Sequence, residues 1–481
     1  SMKRLLLFFV CAALVCPLVL VLFAGCAGEG ERTLYTIDAA YEEGVLTAEM
    51  TVSYYNDTGG SRGELWFNLY GNAYREGAAH APVSASFSAS AYYAGASCGG
   101  MEIRSVSPCA GWEVGGADEN VLRVSLSSPV PAGGRCELTV AYTLTLAEVN
   151  HRTGVTEHTV NLGNFYPVLC VWEAGSGFRE CVYAANGDPF YSACADYAVT
   201  LTVPASYTAA ASGEIAAAEE SGGRRRYEMT LENARDFAAV LSEEFSVEQR
   251  TAGDATVLYY YYDDENARAS ADLARDCLLF FADTFGDYAY GTYSVVQTGF
   301  CYGGMEYPAL VYVSDALAEE DAAYTLVHET AHQWWYAAVG SDQLLHAWQD
   351  EGLAEYSALL YFEESGGYGF TREGLLRAAK GMYNAYYSVR MQVFGEADTT
   401  MDRALSDFGE YEYVALAYAK GALLFDALRE GLGDKKFFAG LRRYYSACSG
   451  KLAAPEDLAA SFKNAGAEEI IASYREGKAV I

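Results

Sequence analysis

The sequence predicts an α+β, multidomain protein, with an N-terminal antiparallel β-domain of sandwich type followed by a mainly helical domain. Three observations carry that expectation. From about residue 33 to 247, short runs alternate apolar and polar residues between clusters of Gly, Asn, Pro and Ser. Beyond residue 257 apolar residues return at helical spacing instead. Within that helical part, two of only six histidines stand four apart with a glutamate beside the first, in "VHETAHQWW" (327–335).

At 481 residues the chain is too long for one ordinary domain. Its 51% hydrophobic content and 39 tyrosines supply large cores and exclude wholesale disorder. A formal charge of −32 argues against nucleic acid and against anionic membrane surfaces as partners.

Taken in order, the elements begin with an address. Lys3 and Arg4 precede an unbroken apolar run from Leu5 to Gly25, then Cys26, the pattern of an export signal. "LFAGC" (22–26) resembles a bacterial lipoprotein box, with Phe23 where leucine is usual; the run is also long enough to span a bilayer uncleaved. Both readings put the body outside the cytoplasm, membrane-anchored, as a lipoprotein at Cys26 or through the intact run. The expected divisions are residues 1–26 as signal or anchor, 27–248 as the β-rich domain and 249–481 as the catalytic domain. Export permits disulfides, with Cys98 and Cys109, and two of Cys170, Cys181 and Cys194, as candidate pairs.

The strands expected in the β-domain are 45–56, 121–128, 136–146, 197–204 and 224–234. "TVLYYYYD" (256–263) reads as one more, and "ENARASADLARDCLLFFADTFG" (265–286) as the first long helix. Residues 294–313 hold two strand-like pieces around Gly303 and Gly304. "EEDAAYTLVHETAHQWWYAAVG" (319–340) opens with acidic residues and closes on Gly340, which predicts a helix over that span.

On that helix, His328 and His332 lie one turn apart on one face and can hold one ion together. Glu329 is turned about 100° from that line, placed to reach a water rather than the ion. Random placement of these residues would give about 0.01 such His-acid-x-x-His matches in the chain. A second helix (348–367) after a short connector returns antiparallel and brings Glu351 back toward the histidines. Three ligands leave a fourth tetrahedral position open, which marks a catalytic zinc site.

His328-Glu329-x-x-His332, 18 intervening residues and then Glu351 within "WQDEGLAEY" resembles the aminopeptidase N family of gluzincin zinc metallopeptidases. "GGMEYP" (303–308) resembles that family's exopeptidase signature, and "YEYVALAYAKGALLFDALRE" (411–430) the segment bearing its catalytic tyrosine. "NLGNFYPVLCVWE" and "GDPFYSACADYAVTLTVP" look like its N-terminal β-saddle domain. The resemblance implies a thermolysin-like catalytic domain, one zinc ion on His328, His332 and Glu351, Glu329 as general base and Tyr418 as oxyanion donor, with Tyr413 beside it. It implies that Gly303, Gly304, Met305 and Glu306 bind substrate, Glu306 taking the free α-ammonium of a peptide.

The sequence departs from the family pattern in two ways. Tyr307 replaces an asparagine, and the β-domain segment "VNLGNFYPV" lacks the glutamine that completes the amine pocket, leaving Asn161 or Asn164 as stand-ins. About 60 residues follow Tyr418, which implies no large helical C-terminal domain, a more open cleft and longer substrates. Glu355, four residues beyond Glu351 on the same helical face, is placed to orient a zinc histidine, although an ordinary surface carboxylate is the favoured reading. The remaining histidines, His80, His151, His158 and His346, read as structural or surface residues. The expected function is therefore a zinc aminopeptidase acting on peptides with a free N-terminus. The alternatives are a zinc endopeptidase or broader hydrolase of this fold, and a surface binding protein without activity.

Overall fold

The computed structural model describes residues 31–481. The export run Leu5–Gly25 and Cys26 lie outside the described residues. Among those described, no helix is long and apolar enough to cross a membrane.

The N-terminal half is built on a seven-stranded sheet ordered 214–221, 224–234, 195–204, 34–42, 45–55, 135–145 and 100–107. All but one of its pairings are antiparallel; Leu34–Glu42 runs parallel to Ala195–Pro204. Alternation does what period-two patterning requires: Tyr197, Val199, Leu201 and Val203 are buried while Ala198, Thr200 and Thr202 face outward. Each such fully buried large side chain contributes about 1.5–3 kcal/mol. Two four-stranded sheets and a two-stranded ribbon, Trp172–Glu173 with Gly177–Phe178, complete the sheets described in this half. One of them contains Val160–Leu162 and Thr153–Val155, which lead into the cleft. The nine cysteines in the described residues are free thiols, so the anticipated pairs are not formed.

The second half has a five-stranded sheet. Ala255–Tyr261, Thr292–Thr298 and Leu310–Ser314 lie parallel, Ser246–Ala252 forms one antiparallel edge and the two-residue strand Gly304–Met305 the other. Parallel neighbours need a long crossover, which helix Ala267–Phe285 supplies between the first two of the parallel strands. The edge at Gly304 faces the metal-binding helix.

That helix is shorter than its sequence suggests. It runs Glu319–Ala331 and is capped by His332, still in the right-handed helical region. Beyond it the carbonyls are diverted: Trp335 O faces His332 Nδ1 at 2.9 Å, and Ala337 O and Ala338 O accept from the buried Arg235 guanidinium. Gly340 does not end a helix. A Cβ there would lie 2.3 Å from Arg235 Cζ, so the glycine makes room for the guanidinium. Arg235 also donates to Ser192 O and Lys451 O, tying the two halves through carbonyls of both.

Candidate metal centre and substrate cleft

Four elements converge at the mouth between the halves. Helix Glu319–Ala331 presents His328, and His332 caps it; helix Trp348–Ser365 returns with Glu351. The three donor atoms lie close together: His328 Nε2 to His332 Nε2 3.2 Å, His328 Nε2 to Glu351 Oε2 3.2 Å and His332 Nε2 to Glu351 Oε2 3.3 Å. Ligands about 2.0–2.1 Å from a tetrahedral zinc stand about 3.3 Å from one another, so the donor set fits the ion. All three side chains are buried.

The outer partners orient the rings. Trp335 O accepts from His332 Nδ1, which leaves Nε2 for the ion. Glu355 Oε2 lies 3.0 Å from His328 Nδ1, and its other oxygen accepts from the Tyr324 hydroxyl at 2.7 Å. Glu355 is therefore not the ordinary surface carboxylate that its sequence context suggests. Its position four residues beyond Glu351 was the available signal. Burial opposes charge on Glu351, yet His332 and His328 hold its carboxyl well below the usual range, as a ligand carboxylate requires.

Glu329 is buried, and its Oε2 has no hydrogen-bond partner. Burial raises its pKa to about 7, with the two histidines pulling the other way. A Cβ on Gly304 would fall 2.5 Å from Glu329 Oε1, so only glycine lets the strand edge pass so near.

Tyr418 arrives by an unusual route. Residues Val414–Lys420 form a π-helix, whose i→i+5 ladder places Tyr413 and Tyr418, five apart, on one side with ring centroids 5.5 Å apart. The Tyr418 ring stacks on His328 at 5.8 Å and 15°. Two features fix the segment. Lys420 is buried and donates to Thr399 O and Tyr474 O. At the crossing of the two helices, a Cβ on Gly352 would meet Gly421 Cα at 2.8 Å and one on Gly421 would meet Gly352 Cα at 2.7 Å. These glycines follow Glu351 and Lys420 directly, so the close approach carries Tyr418 to the metal site. Burial, then the field of Glu351, raises the Tyr418 phenol well above its normal range, so it stays a neutral donor.

The carboxylate side of the cleft, expected to take an amine, is assembled differently from the sequence expectation. Asn161 donates its amide to His151 O and Gly299 O, and Asn164 is taken by Asp236 and the Tyr307 hydroxyl; neither stands in for the missing glutamine. Asp188 comes from the β-domain instead. Carboxylate oxygens of Asp188, Glu306 and Glu351 all lie within 4.8 Å of one another, and all three residues are buried. Arg152 Nη2 donates to Asp188 at 2.6 Å, and Gln343 Nε2 to Glu306 at 3.1 Å and Asp350 at 2.7 Å. Burial, then the charge of Asp188, raises Glu306 well above its normal range. Sequence reasoning gave Asp188 and Gln343 no role, although "GDPF" and "SDQLLHA" are plainly polar interruptions. Tyr307, the departure from the signature, reaches Asn164 Oδ1 at 2.9 Å across the interface, and its hydroxyl occupies the space a side chain on Gly163 would need. Met305 is buried with its sulfur 3.1 Å from Arg152 Nε, and Gly303 borders the opposite cavity. His346 faces Asp402 instead of the ligands.

Two cavities meet at Tyr302, Gly304 and Tyr418. One of about 160 Å³ runs past Asp188 toward Phe87 and Glu410. The other, of about 200 Å³, lies against His328, Glu329 and Glu355.

Residues 269–475 match the family described as Peptidase family M1 domain. Over 181 residues the chain is 26% identical to the leukotriene A-4 hydrolase of Xenopus laevis, an alignment covering 35% of this chain and 28% of that protein. The chain thus spans under a third of that relative's length. The fold is shared with an M1 zinc metallopeptidase from Deinococcus radiodurans, at TM-score 0.66, 19% identity and coverage of 94% and 96% of the two chains. A mutant of that enzyme, solved with a Tyr-Ser-Ala substrate, matches at TM-score 0.62 and 20% identity over 94% and 95%.

Proposed function

We propose, for a chain whose residues 269–475 are a peptidase family M1 domain, that it is a zinc aminopeptidase removing the N-terminal residue from peptides. The observation that carries the reading is the convergence of Asp188, Glu306 and Glu351. A primary ammonium has three N–H donors, and two buried carboxylates, Asp188 and Glu306, meet it beside Glu351, which is kept for the metal. The same cluster opposes an endopeptidase, because an uncharged chain continuing past it would leave Glu306 buried with the Gln343 amide and no cation beside it.

Zinc, when bound by His328, His332 and Glu351, supplies the Lewis acid that makes water a nucleophile at neutral pH. Glu329, with its unpartnered oxygen, accepts the proton from the attacking water and returns it to the leaving amine. The Tyr418 hydroxyl donates to the oxygen on which negative charge develops. Asp188 and Glu306 hold the α-ammonium and so set the register, putting the first peptide bond between the two cavities; Gly303 and Gly304 leave the strand edge open to substrate backbone. The N-terminal side chain enters the cavity on the Asp188 side, and the departing peptide leaves past Glu355.

We also assign the body to the outside of the cytoplasm, tethered through Cys26 or the apolar run; mass spectrometry of the membrane fraction distinguishes the two. The activity test is hydrolysis of aminoacyl-coumarin amides, each with free and N-acetylated amine, against Glu329→Gln protein as the blank. Cleavage confined to free amines is expected. Equal cleavage of the acetylated forms would overturn the aminopeptidase reading.

A further inference from the structure

The cavity on the Asp188 side has a chemistry that selects its occupant. Its walls are aromatic: Phe87 and Tyr302 meet edge to face at 4.8 Å, and Tyr413 and Tyr418 line the inner end. At about 160 Å³ it takes one long side chain. Ser84, Arg152, Asn186 and Asp188 also line it, the Arg152 charge being paired with Asp188 at 2.6 Å. Two further polar features remain for an occupant. The Tyr413 hydroxyl is buried and has no hydrogen-bond partner, although it borders the cavity. At the outer end stands Glu410, held by the hydroxyl of Ser86 from the β-domain.

We propose that this cavity recognises an N-terminal arginine or lysine. The assignment rests on the aminopeptidase reading and adds the substrate class. The occupant's aliphatic stem lies along the aromatic walls, a guanidinium packs against the edge-to-face pair of Phe87 and Tyr302, and its N–H groups reach Glu410 and the Tyr413 oxygen. A neutral occupant of the same length would leave the charge of Glu410 uncompensated. Asp188 does not compete for the side chain, because Arg152 and the α-ammonium take its oxygens. The protein's formal charge of −32 draws cationic peptides to the cleft at low salt.

The test compares arginine with citrulline, which has the same shape without the charge. Zinc-loaded protein from residue 27 onward is assayed on arginyl- and citrullinyl-coumarin amides, and free L-arginine and L-citrulline are titrated by calorimetry into Glu329→Gln protein. An arginine preference of about tenfold or more is expected in both measurements, collapsing toward one in Glu410→Gln and falling by less in Tyr413→Phe. A ratio near or below one in wild-type protein, or a ratio unmoved by Glu410→Gln, overturns the proposal. The calorimetric arm reads the cavity without turnover. Cleavage of N-acetylated arginyl amides as well as free ones would overturn the aminopeptidase reading alone, leaving the arginine-to-citrulline ratio to judge the cavity.

Discussion

The metal side and the amine side of this cleft are assembled by opposite strategies. His328, Glu329 and His332 lie within one turn and a half of helix, and Glu351 follows on the next helix. Glu306, Gln343 and Asp188 come from a strand edge, a connector and the other half of the molecule. Helical periodicity alone fixes most of the first group. The second exists only after two domains dock. The metal donors are thus encoded locally, while the carboxylates proposed to hold the substrate amine meet only at the interface.

The contrast predicts separable failures, the largest on the metal side. Glu329→Gln should lower kcat by about 10³-fold on every substrate while bound zinc, measured by atomic emission, stays at one per chain. Loss of zinc from that variant would mean that Glu329 helps hold the ion, and the division of roles would break. Next, Asp188→Asn should reduce kcat/KM for free-amine substrates by about 10–100-fold and narrow the gap to acetylated ones. It also leaves Arg152 without its 2.6 Å partner, so Tm should fall; zinc content should not. A variant that loses zinc but keeps its preference for free amines would reverse the assignment.

Glu355→Gln sharpens the boundary between the sides, since its carboxylate meets His328 Nδ1 and the Tyr324 hydroxyl. Zinc affinity in competition with a chelator should weaken about tenfold, with kcat of the fully loaded enzyme little altered. The smallest effect is expected from Tyr307→Phe, which deletes one interdomain hydrogen bond to Asn164. Stability should drop by about 1 kcal/mol in urea unfolding and KM should rise a few-fold, as Glu306 loses its neighbour's anchor.

Legibility in the sequence follows the same line. Period-two patterning located the strands at 45–55, 195–204 and 224–234, because one face of each is buried and the other is not. Helix 267–285 was equally plain. The zinc helix was drawn nine residues too long: its composition continues helical to Gly340, but His332 and Arg235 claim carbonyls that the helix would have used. Pattern reads what a segment prefers, and here tertiary partners outbid the preference. The sequence context singles out Tyr418, and the structure stacks it on His328, although the π-helix that aims it has no pattern of its own. Asp188 was invisible for a related reason. Nothing in "GDPF" says that Glu306, more than a hundred residues later, will lie beside it.

Arg235 carries a consequence for any attempt to take this molecule apart. Its guanidinium ends on carbonyls of Ser192, Ala337, Ala338 and Lys451, so one buried cation is shared between the N-terminal half and two separate stretches of the catalytic half. Lifting out residues 249–481 as a stand-alone catalyst would strand those acceptors and open the seam at which Asp188 and Glu306 meet. Grafting a foreign N-terminal half would require it to bring both an arginine for the seam and an acid for the cleft. The two halves are therefore best engineered as a single piece, and new specificities are more readily reached by editing the walls around Phe87 and Glu410 than by exchanging whole domains.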